Sequence, residues 1–137
     1  MVIVDDHLAI LAIAGRLPEL GAAGPVVTTC GFQFRLARAV ADSSNSGSLS
    51  RRLADPTAAL GRALRPPGDR LSVLDPRASM GEAVGFAARH RTNLLLSELA
   101  GAALYHRAAI RVTPANQGRN WSDLMNDEGI DFATVEP

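Results

Sequence analysis

Apolar runs of β-branched residues alternate with helix-type patterns along the chain, and this alternation predicts an α/β fold. Val2-Ile3-Val4 contains no polar position, which is typical of a strand buried on both faces in a parallel sheet. Further strands are predicted over 26–29, 71–74, 109–113 and 130–135. Helices are predicted over 7–17, 32–41, 56–64, 78–90, 93–107 and 122–127. This order indicates a three-layer fold with a mostly parallel central sheet flanked by helices.

Length and composition fit a single domain over residues 1–137. The chain is 47% hydrophobic and 20% charged, which is ordinary for a globular protein. Only 4% of the residues are aromatic, so Ala, Leu, Val and Ile must form most of the core. The Ser/Asn/Gly-rich stretch 42–50 has no apolar period and is predicted to be a loop. We find no internal repeat and no sign of a second domain.

Three features predict a cytoplasmic protein outside the membrane. Cys30 is the only cysteine, which excludes an internal disulfide and fits a reducing compartment. Asp5 and Asp6 interrupt the first apolar run, so it does not match a signal peptide. The most apolar later segment, 93–104, contains Glu98 and is too short to cross a bilayer.

The charged residues exclude some nucleotide-binding classes and leave RNA binding open. All 14 basic residues are arginine, and the absence of lysine excludes a P-loop. The chain also contains no GxGxxG fingerprint of dinucleotide-binding domains. Residues 16–119 hold every arginine but only half of the acids, an asymmetry that permits a phosphate-binding face or an ordinary solvated surface. Trp121, close to Arg119, could stack on a base or pack in the core.

The first candidate site follows the first strand directly. Ligands of open α/β sheets bind at the carboxyl ends of the strands, and Asp5 and Asp6 stand at that position. Their carboxylates would suit a hard cation. The alternative is that one of them, Asp6 more readily than Asp5, caps the following helix through hydrogen bonds from the backbone.

The order of these elements resembles a PIN domain, the metal-dependent nuclease fold used by VapC-type toxins of bacterial toxin–antitoxin pairs. The resemblance spans the chain and rests on four segments. These are Val2-Ile3-Val4-Asp5, Val26-Val27-Thr28-Thr29 with Phe34-Arg35-Leu36, the small-residue helix from Ser97 to Leu104 with Ile110-Arg111-Val112-Thr113, and Gly129-Ile130-Asp131-Phe132 with Val135.

The resemblance implies a cluster of three or four carboxylates holding Mg²⁺ or Mn²⁺, and here that cluster is incomplete. Asp5 matches the first acid and Asp6 follows it, whereas the second acid falls on Phe34 or Arg35. The third falls on Ser97, beside Glu98, and the fourth near Asn116. Since Ser97 and Glu98 lie about 100° apart around a helix, only one of them is expected to point at Asp5.

Two interpretations of this incomplete cluster remain open. In the first, Asp5, Asp6, Asn116 and either Ser97 or Glu98 still hold a cation, with Asp5, Glu98 and Asn116 as catalytic residues. In the second, Arg35 pairs with Asp5 and takes the place of the ion.

The resemblance also implies RNA as a substrate, with Arg35, Arg38 and Arg119 as candidate contacts, together with a homodimer and a cognate antitoxin. We therefore predict a degenerate toxin-type ribonuclease that binds RNA or a protein partner, with an active Mg²⁺/Mn²⁺-dependent endoribonuclease as the alternative. A third possibility is an α/β domain of another family whose acids are only helix caps. That possibility predicts no clustering of Asp5, Glu98 and Asn116.

Overall fold

The computed structural model describes residues 1–41, Ala58 and residues 71–137, and within them five strands alternate with five α-helices. The strands are β1 (Val2–Val4), β2 (Val26–Thr28), β3 (Ser72–Val73), β4 (Ala109–Val112) and β5 (Phe132–Thr134). The helices are α1 (Asp6–Ile13), α2 (Cys30–Ala41), α3 (Met80–His90), α4 (Leu94–His106) and α5 (Trp121–Asp127), with a 3-10 turn at Pro114–Asn116.

Most predicted elements lie within about two residues of the observed ones, and the first helix is the main exception. It ends at Ile13 rather than at residue 17, because the chain turns at Gly15, whose φ of 70° is a left-handed conformation that glycine adopts readily. The predicted loop 42–50 lies outside the described residues. So does the predicted helix 56–64, apart from Ala58.

The sheet confirms the predicted α/β class and is parallel throughout. Its strand order is β3-β2-β1-β4-β5, and every neighbouring pair runs parallel. Strand β1 lies at the centre, where Ile3 is opposite Val27 on one side and Ile110 on the other. The end of β1 therefore lies between the ends of β2 and β4, at the carboxyl edge of the sheet.

The side chains of β1 divide between the two faces of the sheet and so create two cores. Ile3 packs on one face with Phe86 of α3 and Leu99 of α4. Val2 and Val4 point to the opposite face, into a cluster that contains much of α1. Successive side chains in a strand face opposite sides, so an uninterrupted apolar run needs a helical layer on each face.

Helices α3 and α4 pack closely against each other through a small residue. A Cβ atom added at Gly101 would lie 2.5 Å from the backbone nitrogen of Ala83, so only glycine permits this distance between the helices. Helix α4 begins at a capping residue, Asn93, whose Oδ1 accepts a hydrogen bond from the Leu96 N–H. Among the described helices, none is long and apolar enough to pass through a membrane.

Candidate functional site

The candidate site is centred on Asp5, which joins the ends of two neighbouring strands. Strand β1 ends before Asp5 and β4 ends before Thr113, so parallel pairing brings these two residues together. One carboxylate oxygen of Asp5 accepts hydrogen bonds from the Thr113 backbone N–H (2.7 Å), the Thr113 hydroxyl (2.8 Å) and the Asn116 side-chain amide (2.9 Å). The other oxygen accepts the Leu8 N–H at 2.8 Å and so caps α1. Asp5 is completely buried.

Asp6 lies beside this group and has different partners. Its carboxylate accepts a hydrogen bond of 2.6 Å from the same Asn116 amide nitrogen and lies 3.5 Å from Nε of Arg35. Arg35 in turn donates to Oδ1 of Asn116 at 3.0 Å. Burial raises the pKa of Asp6, and the positive charge of Arg35 opposes that increase. We call Asp5, Asp6, Arg35, Asn116 and Thr113 the acidic edge.

The acidic edge confirms one predicted contact and corrects two others. Asp5 and Asn116 meet, as the resemblance to PIN domains implied. The helix-capping role falls on Asp5 rather than on Asp6. The arginine pairs with Asp6 and Asn116 instead of Asp5, because Asp5 already accepts four hydrogen bonds from groups fixed by the two strands and α1.

Ser97 and Glu98 make their contacts elsewhere. The Ser97 hydroxyl donates to the Asn93 carbonyl at 2.6 Å and contacts the Thr92 hydroxyl at 2.7 Å, at the start of its own helix. The Glu98 carboxylate accepts the N–H groups of Cys30 (3.1 Å) and Gly31 (2.8 Å), and it thereby caps α2. The expectation that one of the two points at Asp5 is therefore wrong, since each oxygen finds backbone partners closer in the fold.

A glycine allows Glu98 to reach the helix that it caps. A Cβ atom at position 31 would lie 2.7 Å from Oε2 of Glu98 and 2.9 Å from Cδ1 of Leu95. Gly31 therefore permits the approach of α4 to the first turn of α2. The carboxylate lies where the N–H groups at the start of a helix would otherwise donate to an external anion.

The remaining nucleic-acid candidates lie on the surface or in the core. Arg38 is exposed one turn after Arg35 on α2, and Arg119 is exposed three residues after Asn116. Trp121 is buried in the core cluster, and a Cβ at Gly118 would clash with its indole ring. The tryptophan therefore packs in the core and is not available to stack on a base.

The side chains of the acidic edge fit a divalent cation poorly. Mg²⁺ and Mn²⁺ require several oxygen ligands, but Asn116 turns its NH₂ group toward both carboxylates and its oxygen toward Arg35. The guanidinium of Arg35 adds a positive charge beside Asp6. Within the described part of the chain, no three acidic, histidine or cysteine side chains gather in a way that could hold a metal ion.

Sequence reasoning missed two features of this region. Thr113 gives Asp5 two of its four hydrogen bonds, and its only sequence signal is a polar residue directly after a buried strand. The second feature is an apolar groove of about 500 Å³ between the start of α2, one face of α3 and the start of α4. Four exposed apolar side chains line it: Phe34, Met80, Val84 and Leu94.

The comparisons with known proteins add no assignment: no protein-family model matches the chain, and a search of curated proteins finds no match.

Proposed function

We propose that this protein is a PIN-like domain related to toxin-type ribonucleases, in which metal-dependent RNA cleavage is weak or lost and partner binding remains. The observation that carries the proposal is the pairing of Arg35 with Asp6 and Asn116. This pairing supplies from within the chain the positive charge that a bound cation would otherwise provide. The PIN-like assignment itself rests on the order of the elements and on Asp5 at the end of β1.

Cation binding would require several of these contacts to break. An ion between Asp5 and Asp6 would have to displace the Asn116 amide, which donates to both carboxylates. It would also have to displace Arg35, because two positive charges beside one carboxylate repel each other. Asn116 offers its NH₂ group where a metal ion needs an oxygen ligand, and Arg35 competes with the ion for Asp6. Both features weaken the binding of a cation, which supports the loss of catalysis.

Of the two partner classes, a protein is better supported than RNA. The apolar groove provides uncovered hydrophobic surface of the kind that protein partners bury. A second copy of the chain and a cognate antitoxin both belong to this class. RNA binding through Arg35, Arg38 and Arg119 rests on the exposure of these side chains, and Arg35 is partly engaged by Asp6.

An active Mg²⁺- or Mn²⁺-dependent endoribonuclease toxin is the second candidate, and one observation favours it. A single nitrogen atom, Nδ2 of Asn116, lies within 2.9 Å of an oxygen of Asp5 and within 2.6 Å of an oxygen of Asp6. The two carboxylates are thus close enough for one atom to contact both, as a shared ion would. The side chain of Arg35 is 43% exposed and has room to leave.

A cleavage assay separates the two candidates. Purified protein is incubated with structured and unstructured RNA in the presence of Mg²⁺, Mn²⁺ or EDTA, in parallel with Asp6→Asn. This variant suits the purpose because, among the described residues, the Asp6 carboxylate contacts the side chains of Asn116 and Arg35, whereas Asp5 also accepts backbone N–H groups. We expect no EDTA-sensitive cleavage above that of the variant. Cleavage that requires the metal and disappears in Asp6→Asn would overturn the proposal and establish the active enzyme.

A further inference from the structure

The apolar groove contains a buried polar side chain that the described part of the chain leaves without a partner. Ser79 lines the groove and is only 2% exposed, so its hydroxyl group lies below the surface. It is the capping residue of α3, yet it makes no capping hydrogen bond, and no other group among the described residues bonds to its hydroxyl. Buried hydroxyl groups are nearly always hydrogen-bonded, so an unused one at the wall of a cavity indicates a place for a ligand.

The other polar groups of the groove are already engaged. The carboxylate of Glu98 accepts two backbone N–H groups of α2. The hydroxyl groups of Thr92 and Ser97 contact each other, and Ser97 also donates to a carbonyl of its own helix. The thiol of Cys30 lies 3.6 Å from a backbone carbonyl oxygen. A ligand therefore finds its unused hydrogen-bonding group at Ser79 and must be apolar elsewhere.

The walls of the groove are held in place by two close contacts between helices. Gly101 lets α4 approach α3 at Ala83, and Gly31 lets Glu98 of α4 cap α2. The three helices are thus joined, and the cavity of about 500 Å³ lies within the range of roughly 300–1,000 Å³ that is typical of preformed ligand pockets. Since a cavity of about 150 Å³ holds one benzene molecule, this volume accommodates roughly 10–20 non-hydrogen atoms.

The electrostatics of the groove favour an uncharged ligand. Glu98 is the only formally charged side chain among the described lining residues. Burial raises the pKa of the Cys30 thiol, and the negative charges of Glu98 and Asp75 raise it further, so an anion in the groove would be repelled. A cation bound at Ser79 would instead lie at the start of α3, which is the positive end of the helix dipole. Charge complementarity therefore disfavours both kinds of ion.

We infer that the apolar groove binds an uncharged small molecule with an aliphatic body and one carbonyl group, of the class of medium-chain amides and esters. Its carbonyl oxygen accepts a hydrogen bond from the Ser79 hydroxyl, beside the N–H groups of the first turn of α3 that Ser79 leaves uncapped. Its aliphatic body packs on Phe34, Met80 and Val84 and removes their exposed side chains from water. The inference goes beyond the proposed function and does not rest on it.

A small molecule accounts for more of the groove than a protein surface does. A protein that covered the rim would bury the exposed apolar side chains, but it would leave the Ser79 hydroxyl below it without a hydrogen bond, at a cost in free energy. A ligand that enters the cavity satisfies the hydroxyl and covers the apolar walls together.

The test measures the binding of octanamide to the full chain by calorimetry, with octanoate and octylamine as charged molecules of the same chain length. We expect saturable binding of octanamide and at least tenfold weaker binding of both ions. Ser79→Ala should leave the melting temperature unchanged, because the hydroxyl has no partner in the chain, but it should weaken the binding of octanamide by about fivefold or more. Ser122→Ala, at a serine that does not line the groove, is the matched control and should change neither quantity.

A second pair of variants tests the apolar walls. Ala87→Trp places a large ring in the groove and should abolish the binding of octanamide, whereas Ala88→Trp, at the next, exposed residue of α3, should preserve it. Circular dichroism verifies that the variants are folded. Absence of saturable binding by the wild type, equal affinity for octanoate and octanamide, or binding that Ser79→Ala leaves unchanged would each overturn the inference. So would a wild-type chain that binds no octanamide but self-associates in a way that Ala87→Trp abolishes, because the groove would then belong to a second copy.

Discussion

Two adjacent residues of α2 belong to regions of opposite character. Arg35 contributes to the acidic edge, where the buried carboxylates of Asp5 and Asp6 are matched by hydrogen-bond donors and by a cation from the same chain. Phe34 projects into the apolar groove, where nothing within the described residues covers it. The region that resembles a catalytic site is thus satisfied internally, and the region with uncovered surface is its neighbour.

This contrast separates a charged region that is compensated within the chain from an apolar region that is not. A buried charged group needs an external ligand only if the chain itself provides no hydrogen-bond donor or opposite charge to pair with it. At the acidic edge, Arg35 and the amide of Asn116 provide the compensation. Within the described residues the groove has no such internal partner, and its apolar side chains stay exposed.

The largest expected effect is on stability, from Asp5→Ala. The substitution leaves the buried donors of Thr113 and Leu8 without an acceptor, and we expect the free energy of unfolding to fall by about 3–5 kcal/mol. Chemical denaturation measures the change. Asp75→Ala is the control, since Asp75 is exposed and forms its ion pair with the exposed Arg77. Equal, small losses in both variants would show that Asp5 does not join β1 to β4.

A smaller effect should come from the helix pair that frames the groove. Gly101→Ala would force α4 away from Ala83, and we expect a loss of about 1–3 kcal/mol in the free energy of unfolding. Gly81→Ala is the matched control in α3, because a methyl group there meets no atom within 4 Å. That control should be stabilised by about 0.5–1 kcal/mol, since alanine favours the helix. If the free energy of unfolding changed in the same direction in both variants, the close packing of α3 and α4 at Gly101 would be contradicted.

A third prediction concerns Arg35 and pH. Because burial raises the pKa of Asp6, the folded chain keeps that proton to a higher pH than the unfolded chain, and stability falls as pH rises between the two values. Arg35→Gln removes the opposing charge and raises the pKa further. We expect it to destabilise the protein at neutral pH by about 1 kcal/mol or less, since Arg35 is 43% exposed.

The pH profile of denaturation provides the check on this prediction. The difference between Arg35→Gln and the wild type should shrink as the pH falls and Asp6 becomes protonated in both, because a neutral carboxyl group no longer responds to the charge of Arg35. Arg77→Gln, at an exposed pair, serves as the control and should leave the profile nearly unchanged. A constant difference at every pH would mean that Arg35 acts through packing and not through its charge on Asp6.

The smallest effect is expected at the free arginines. Arg38→Ala and Arg119→Ala should leave the melting temperature unchanged, because both side chains are exposed and make no ion pair within the described residues. If RNA is a partner, each substitution should weaken binding in a salt-dependent manner, as measured by fluorescence anisotropy. Binding that neither substitution weakens would remove these residues from any RNA surface.

The sequence was sufficient to predict the fold and one contact of the site. The apolar run of β1 predicted a strand buried on both faces, and its side chains do enter two cores. Asp5 and Asn116 were expected to meet because the resemblance to PIN domains places both in one cluster. The strand prediction succeeds because the periodicity of a strand is encoded locally, and the contact arises because β1 pairs in parallel with β4.

The side-chain partners could not be predicted in the same way. The sequence left open whether Ser97 or Glu98 points at Asp5. The structure shows that Glu98 caps α2 through Gly31, 67 residues away in the sequence. The choice of Asp6 over Asp5 by Arg35 depends on the donors that Thr113 brings to Asp5. Met80 and Val84 show the same limit, because the spacing of an exposed apolar stripe is identical to that of a buried one.

The most direct test of the account is a titration of the protein with Mn²⁺, followed by calorimetry and by the electron spin resonance signal of the free ion, for the wild type and for Arg35→Glu. If Arg35 and Asn116 replace the ion, the wild type shows no saturable binding at millimolar Mn²⁺. Arg35→Glu, which places a carboxylate beside Asp6, gains a saturable site. Saturable submillimolar binding by the wild type, with no gain in Arg35→Glu, would contradict the account.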